Sequence, residues 1–404
     1  MAVIAILADF EQGHVFPTFC IAKKLLTRGY RVCYLGVAEA EDVIRKQGFE
    51  FRRIVEDVPL ASSMSQLRKL SSDNPLARLA LDTFIRGKAL DDLMLELKPS
   101  VVLMTFHYYV LTILIRYRYN VPVILLNTAV VDAPREELCQ AVIDYLIDVP
   151  SATDLIDLLL SASVEVKNFA EIAALILKMP ELVLYPKVFE LPGASRDSLV
   201  FHVGHEVDLN RVEEPFDWGQ LDASRPLIYC SLGSQLDLKS EVSRRFIRTV
   251  IHAAAQRPDW QFVVSLGARL SAKEFEPIPP SVILSHWAPQ LQMLSRASVM
   301  ITHAGIGTVK ECILHGVPML ALPLMRDQFA CTNRIVHHGL GVRGDIEQIE
   351  PEELSSMLSQ LISNDSFRER VGVMREEFER AEALNLSIKL IEKVIADRLP
   401  VNSI

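Results

Sequence analysis

One rhythm, run through twice, constrains this chain more than anything else in it. Short apolar runs alternate with longer helix-patterned stretches. The first pass holds VIAILA (3–8), RVCYLGV (31–37), FEFRRIV (49–55), VVLMTF (101–106), VPVILLNT (121–128), ELVLYP (181–186) and LVFHVG (199–204). Residues 205–225, HEVDLNRVEEPFDWGQLDASR, are polar and without periodicity, and read as a linker. The rhythm then restarts with PLIYCSLGS (226–234), QFVVSLG (261–267), SVILSHW (281–287), SVMITH (298–303), PMLALPL (318–324) and LGVRGD (340–345). Strands that are apolar throughout are buried on both faces, which calls for parallel sheets covered by helices on either side. The pattern predicts an α/β chain of two doubly wound, Rossmann-like domains facing a central cleft. The predicted divisions are 1–205, a linker at 206–225, 226–385, and a helical tail that includes 386–404. Ligands of such folds sit outside the carboxyl ends of the strands.

The length of 404 residues suits two domains. A net charge of −9 argues against a nucleic-acid partner, which would want a basic face. The six cysteines form no CxxC pair and read as buried, reduced thiols. The opening MAVIAILA lacks a basic start and soon meets Asp9 and Glu11, so no signal peptide is expected. The longest apolar run, Val101 to Ile115, is too short for a clean membrane span. Arg68, Lys69, Arg78, Arg86 and Lys88 read as a solvated face. The expectation is a soluble, cytoplasmic protein without stable membrane association.

The chemistry concentrates in residues 285–333, SHWAPQLQMLSRASVMITHAGIGTVKECILHGVPMLALPLMRDQFACTN. Its centre, THAGIGTVKE, follows a strand and opens a helix. Gly305 and Gly307 allow close backbone approach, and the amides of the next turn make an anion site. The stretch is a poor dinucleotide fingerprint. Lys310 occupies the third glycine position, and the turn falls late in its domain, although Asp327 lies about where an acid is wanted. The flanks point elsewhere. Trp287 ends a strand and can stack a flat base. His303 and Thr308 can donate to phosphate oxygens, Glu311 can take a ribose hydroxyl pair, and Asp327 and Gln328 can hold sugar hydroxyls.

The pattern W-A-P-Q…T-H-x-G-x-G-T…E…H-G-V-P-M…P…D-Q…N closely resembles the nucleotide-sugar signature of the family 1 glycosyltransferases, which use UDP- or dTDP-sugars. SLGS (231–234) resembles that family's first donor-domain loop, and I-A-x-L-A…G-H-V-F-P resembles its acceptor-domain opening. The resemblance implies the GT-B fold. Residues 1–205 would bind acceptor, 226–385 would bind donor, and the helix 386–404 would cross back to the first domain. It also implies that Trp287 and Ala288 receive the base and that Glu311 holds the ribose. Ser234, His303, Gly305, Gly307 and Thr308 would take the diphosphate, Asp327 and Gln328 the transferred sugar, and Gln290 would belong to the same donor set. The plant signature has Asn-Ser where this chain has Gly307-Thr308, and two more residues between Trp and His; both differences point to a bacterial type.

His14, in the loop after the first strand, is the candidate general base, since imidazole suits proton removal near neutral pH. The family supports its base with an Asp, but PSVVLMTFHYY (99–109) contains no acid, and Thr105 stands in that place. Thr105, Asp9 and Asp132 are the candidates for orienting His14. No DxD-like element is present, so no metal or other cofactor is expected beyond the nucleotide-sugar donor. The expected activity is metal-independent, inverting transfer of a hexose to a hydroxyl of a small, largely apolar natural-product acceptor. The rival readings are a nucleotide-sugar 2-epimerase and a non-catalytic GT-B partner of another glycosyltransferase.

Overall fold

The computed structural model describes residues 1–7, 12–54, 89–105, 108–132, 135–147, 152–193, 197–233, 240–267, 270–325 and 327–397. Asp9, the basic residues singled out between 68 and 88, His107 and Ser234 lie outside the described residues.

Every expected strand forms. The first sheet contains β1 (Val3–Leu7), β2 (Arg31–Gly36), β3 (Glu50–Arg53), β4 (Val101–Thr105), β5 (Val123–Asn127), β6 (Glu181–Val183) and β7 (Val200–His202), in the order β3-β2-β1-β4-β5-β6-β7. The second contains β8 (Leu227–Ser231), β9 (Gln261–Ser265), β10 (Val282–Ser285), β11 (Val299–Thr302), β12 (Met319–Ala321) and β13 (Gly341–Arg343), in the order β10-β9-β8-β11-β12-β13. All the pairings are parallel. Strand order reverses between β1 and β4 in one sheet and between β8 and β11 in the other, and these reversals open the two crevices where a doubly wound fold binds ligand. Most strands stop short of their apolar runs. The trimmed carboxyl-end residues, such as Trp287 and His303, leave the ladder and become the loops that line the cleft.

Two local expectations need correction. The first helix runs Gln12–Thr27, so His14 stands in its opening turn rather than in a loop, and Pro17 lies inside the helix. Proline at that position removes the bond that would return to the Gly13 carbonyl. The linker is also far from slack. Within it Glu206 is 1% exposed and adopts a left-handed backbone, and the Arg211 side chain is 7% exposed.

The tail forms three helices, Pro351–Ser363, Asp365–Ala383 and Leu386–Asp397. The last buries Ile388, Ile391 and Val394 in the core of the first sheet, against residues such as Ile6 and Val203. Each such side chain contributes about 1.5–3 kcal/mol of burial, enough to hold a 12-residue helix that would be marginal alone. Polar pegs tie the halves together as well. Lys310 donates to the carbonyls of Leu184 and His205 at 2.7 and 2.6 Å. Arg334, almost fully buried, meets Glu190 at 2.5 Å and Asp132 at 2.7 Å. None of the six cysteines is in a disulfide, and four of them are buried. Among the described residues, no helix is long and apolar enough to cross a membrane.

Candidate functional site

A cavity of about 390 Å³ lies between the sheets' carboxyl edges. One wall carries His14, Phe16 and Thr128; the other carries Trp287, Ala288, Gln290, His303, Gly305, Gly307, Thr308, Glu311, Asp327 and Gln328; Arg211 and Glu213 reach in from the linker. The fold thus brings together the described members of the sequence-predicted donor set.

The anion turn is built by backbone geometry. Ala304 takes a left-handed φ of 64°, which swings the chain so that Gly305 caps the helix Ile306–His315. The two glycines serve different needs. A Cβ on Gly305 would come within 2.5 Å of His303 Nε2, and one on Gly233, across the ring, within 2.6 Å of His303 Cε1. His303 is therefore clamped between two backbones. A Cβ on Gly307 would meet nothing, because that position faces the open cleft. Burial pushes the His303 imidazole down to about 4, so it is neutral at pH 7, and its Nδ1 is sealed with no hydrogen-bond partner. A neutral imidazole beside helix-end amides can donate to an oxyanion.

Trp287 is 40% exposed, a large apolar ring left open to the cleft. Its carbonyl accepts from Ser285 Oγ at 2.9 Å, while Ala288 packs onto the core beneath the second sheet. Gln290 donates to Glu311 at 2.6 Å and to Thr308 at 3.3 Å. Gln328 accepts from the amides of Leu324 and Met325 at 2.8 and 3.0 Å, which fixes its carbonyl and leaves its NH2 as the free end. Asp327 accepts from the Val130 amide at 3.4 Å, across the cleft.

Glu311 is the surprise. Both its oxygens engage Arg211, which also reaches Glu213 at 3.2 Å and lies 5.0 Å over the Phe16 ring. Burial opposes ionisation of Glu311, but the adjoining guanidinium outweighs it and holds the carboxyl below its ordinary range. Glu213 in turn accepts from the amides of Leu291 and Gln292 at 2.9 and 3.2 Å, fixing the short helix after Trp287. Sequence reading missed Arg211 and Glu213, since nothing local marks a linker arginine whose partner lies 100 positions away.

His14 Nδ1 meets Thr128 Oγ1 in a short hydrogen bond. Of the nominated orienting residues, Asp9 lies outside the described residues, and neither Thr105 nor Asp132 meets the ring. The Thr105 hydroxyl is buried without a partner, and Asp132 is drawn away by Arg334. Thr128 was legible in principle: VPVILLNT ends in two polar residues at the edge of a crevice. Among the described residues, Cys20, Glu206 and Glu382 gather closely enough to suggest a metal site. Lys24 already sits there, 2.8 Å from Glu206 and 2.5 Å from Glu382, so an ammonium balances that charge.

Two facing parallel sheets with an anion turn in the cleft are the architecture of the GT-B fold. The resemblance to family 1 is borne out by residues 211–378, which match the family described as UDP-glucoronosyl and UDP-glucosyl transferase. The chain is 26% identical over 380 residues to the NDP-glycosyltransferase YjiC of Bacillus subtilis (strain 168), covering 91% of each. It is 24% identical to the demethyllactenocin mycarosyltransferase of Streptomyces fradiae, over 98% of this chain and 87% of that one. Among solved structures, the glycotransferase of kitacinnamycin matches with a TM-score of 0.77 at 24% identity, over 97% and 98% of the two chains. The calicheamicin glycosyltransferase CalG4 matches at 0.74 and 21%, over 98% and 99%.

Proposed function

We propose that the chain is a cytoplasmic, inverting, metal-independent glycosyltransferase. It moves a hexose from a UDP- or dTDP-sugar to a hydroxyl of a small, largely apolar acceptor of the natural-product kind. Residues 1–205 supply the acceptor side, 226–385 the donor side, 206–225 the hinge between them, and 386–404 the return to the first domain. The observation that carries the reading is the set of groups gathered in one cleft: an open indole, a glycine turn at a helix start, an Asp-Gln pair, and an imidazole from the other domain. Relatives add to it. One solved neighbour, the glycosyltransferase VinC, is described in complex with DTDP. The Streptomyces relative is named for transfer of a mycarosyl group to demethyllactenocin.

In this mechanism His14 Nε2 takes the acceptor proton as its oxygen bonds to C1. The bond from C1 to the phosphate oxygen breaks on the opposite face, inverting the centre. Charge builds on the departing diphosphate, and the amides after Gly305 with the neutral N–H of His303 receive it. Gln328 NH2 and the Asp327 carboxylate hold the hexose hydroxyls. The test is nucleoside diphosphate release from UDP-glucose and dTDP-glucose with a panel of phenolic acceptors. Acceptor-dependent release together with glycosylated product supports transfer. Release or sugar interconversion without acceptor points to an epimerase. No turnover with any donor overturns the proposal in favour of a non-catalytic partner.

A further inference from the structure

Residues 211–213 of the linker form a strap that is tied at each residue. Both backbone groups of Val212 bond to the side chain of Gln47, which ends the first-domain helix Ala38–Lys46. The Val212 amide donates to Oε1 at 3.0 Å, and its carbonyl accepts from Nε2 at 3.2 Å. Glu213 accepts from the Leu291 and Gln292 amides of the second domain at 2.9 and 3.2 Å. Arg211, held over the Phe16 ring and against Glu213, extends its guanidinium to Glu311. Nη1 donates to one carboxylate oxygen and Nη2 to the other, the second at 3.3 Å. Gln290 Nε2 adds a bond to that second oxygen at 2.6 Å and also reaches Thr308 Oγ1 at 3.3 Å. An ionised carboxylate offers about four lone-pair sites. On Glu311 three of them are filled, two by a planar fork that spans both oxygens.

We infer that Arg211 is a specificity-determining residue of the donor site. By filling the fork of Glu311 it removes the means of reading a ribose 2′-hydroxyl, so the cleft takes 2′-deoxyribonucleoside diphosphate sugars as readily as ribonucleoside ones. The inference rests on the reading of the cleft as a nucleotide-sugar site with Glu311 beside the ribose. An unencumbered Glu311 would hold the 2′,3′-hydroxyl pair with both oxygens at once. With Arg211 in place, one lone pair remains on the carboxylate, enough for a single hydroxyl, and the Gln290 carbonyl is the neighbouring acceptor. Swinging Arg211 aside would leave a guanidinium buried beside Glu213 alone, its side chain only 7% exposed. It would also give Glu311 neutral hydroxyls in place of a cation, against the cost of parting a buried ion pair. The ties of Val212 and Glu213 on either domain hold the strap, and with it the arginine, where it is. A linker residue outside both Rossmann-like sheets thereby sets which sugar of the nucleotide the second domain accepts.

The experiment titrates the full chain by calorimetry with UDP, 2′-deoxyuridine diphosphate and dTDP. The first two differ only at the 2′-hydroxyl, and the last two only by the methyl group of the base, so sugar and base are read separately. Wild type should bind UDP and 2′-deoxyuridine diphosphate with Kd values within about threefold of each other, where a hydrogen bond to a carboxylate would part them by about tenfold to a hundredfold. Arg211→Met should free the carboxylate and bind UDP about tenfold or more tightly than 2′-deoxyuridine diphosphate. Arg211→Lys keeps the charge but donates as a point rather than a fork. It should move the ratio in the same direction, and it carries the test if Arg211→Met does not fold. A wild-type preference for UDP beyond that threefold means that Glu311 reads the 2′-hydroxyl past Arg211, and it overturns the inference. So does a ratio that stays near one in the folded variants, because Arg211 then sets nothing. Failure of all three nucleotides to bind defeats the reading of the cleft itself and takes the inference with it.

Discussion

Replacing Arg211 by Met tests the most consequential unforeseen contact. Arg211, Glu311 and Glu213 side chains are each 7% exposed, so the trio is desolvated. Removing the guanidinium leaves Glu311 with only the Gln290 amide at 2.6 Å, while Glu213 keeps its two backbone donors. Breaking a buried pair by deleting one partner costs about 3–5 kcal/mol, because a lone buried charge remains. The loss is large beside a total stability of about 5–15 kcal/mol. It should carry a pH signature whose sign reverses between the two proteins. In wild type the Glu311 carboxyl sits below its ordinary value of 4.5, so its contribution is present at neutral pH and lost as pH falls through the folded value. In Arg211→Met burial, the largest influence, is opposed only by the Gln290 amide and the Lys310 charge, and it raises the carboxyl. The variant's deficit should then be smallest in acid and grow as pH rises through the raised value. Urea unfolding at pH 5 and pH 8 measures this, with Arg211→Met, Glu311→Gln recovering much of the deficit at pH 8. A single variant within about 0.5 kcal/mol of wild type, or a deficit equal at both pH values, would refute the reasoning.

Four further outcomes follow from the same site. Gly307→Ala should leave the melting temperature unchanged or raised, since alanine favours the helix, yet weaken nucleoside diphosphate binding measured by calorimetry; Gly305→Ala should instead lower stability by displacing His303. Trp287→Ala should cost about 1–3 kcal/mol of nucleotide affinity if its open ring stacks the base. His205 and His303 are both held down to about 4 by burial, against an ordinary 6.5. The unfolded chain takes up their protons first, so stability should fall as pH drops from about 6.5 through about 4, and His205→Gln with His303→Gln should flatten that limb of a denaturation profile. Dialysis against a chelator should leave the rate of transfer unchanged when nucleotide sugar and acceptor are resupplied.

By itself the sequence determined the two parallel sheets, their strands and the location of the donor turn. These follow from short-range causes. Strands buried on both faces read as continuous apolar runs, and a helix start with two glycines is a local shape whatever surrounds it. Periodicity cannot see how a helix start shares its last loop residues, and so it placed His14 before the helix rather than in its first turn. Only the tertiary structure decided which groups answer one another across the cleft. Thr128 rather than Thr105 or Asp132 meets His14, because the β5 turn is pinned by Asn127 and Glu181 while Asp132 is drawn to Arg334. Glu311 meets a linker arginine from 100 positions upstream for a similar reason. A buried charge takes whichever opposite charge the packing of two domains carries to it, and that packing is settled by the summed burial of both cores rather than by any pattern near either residue.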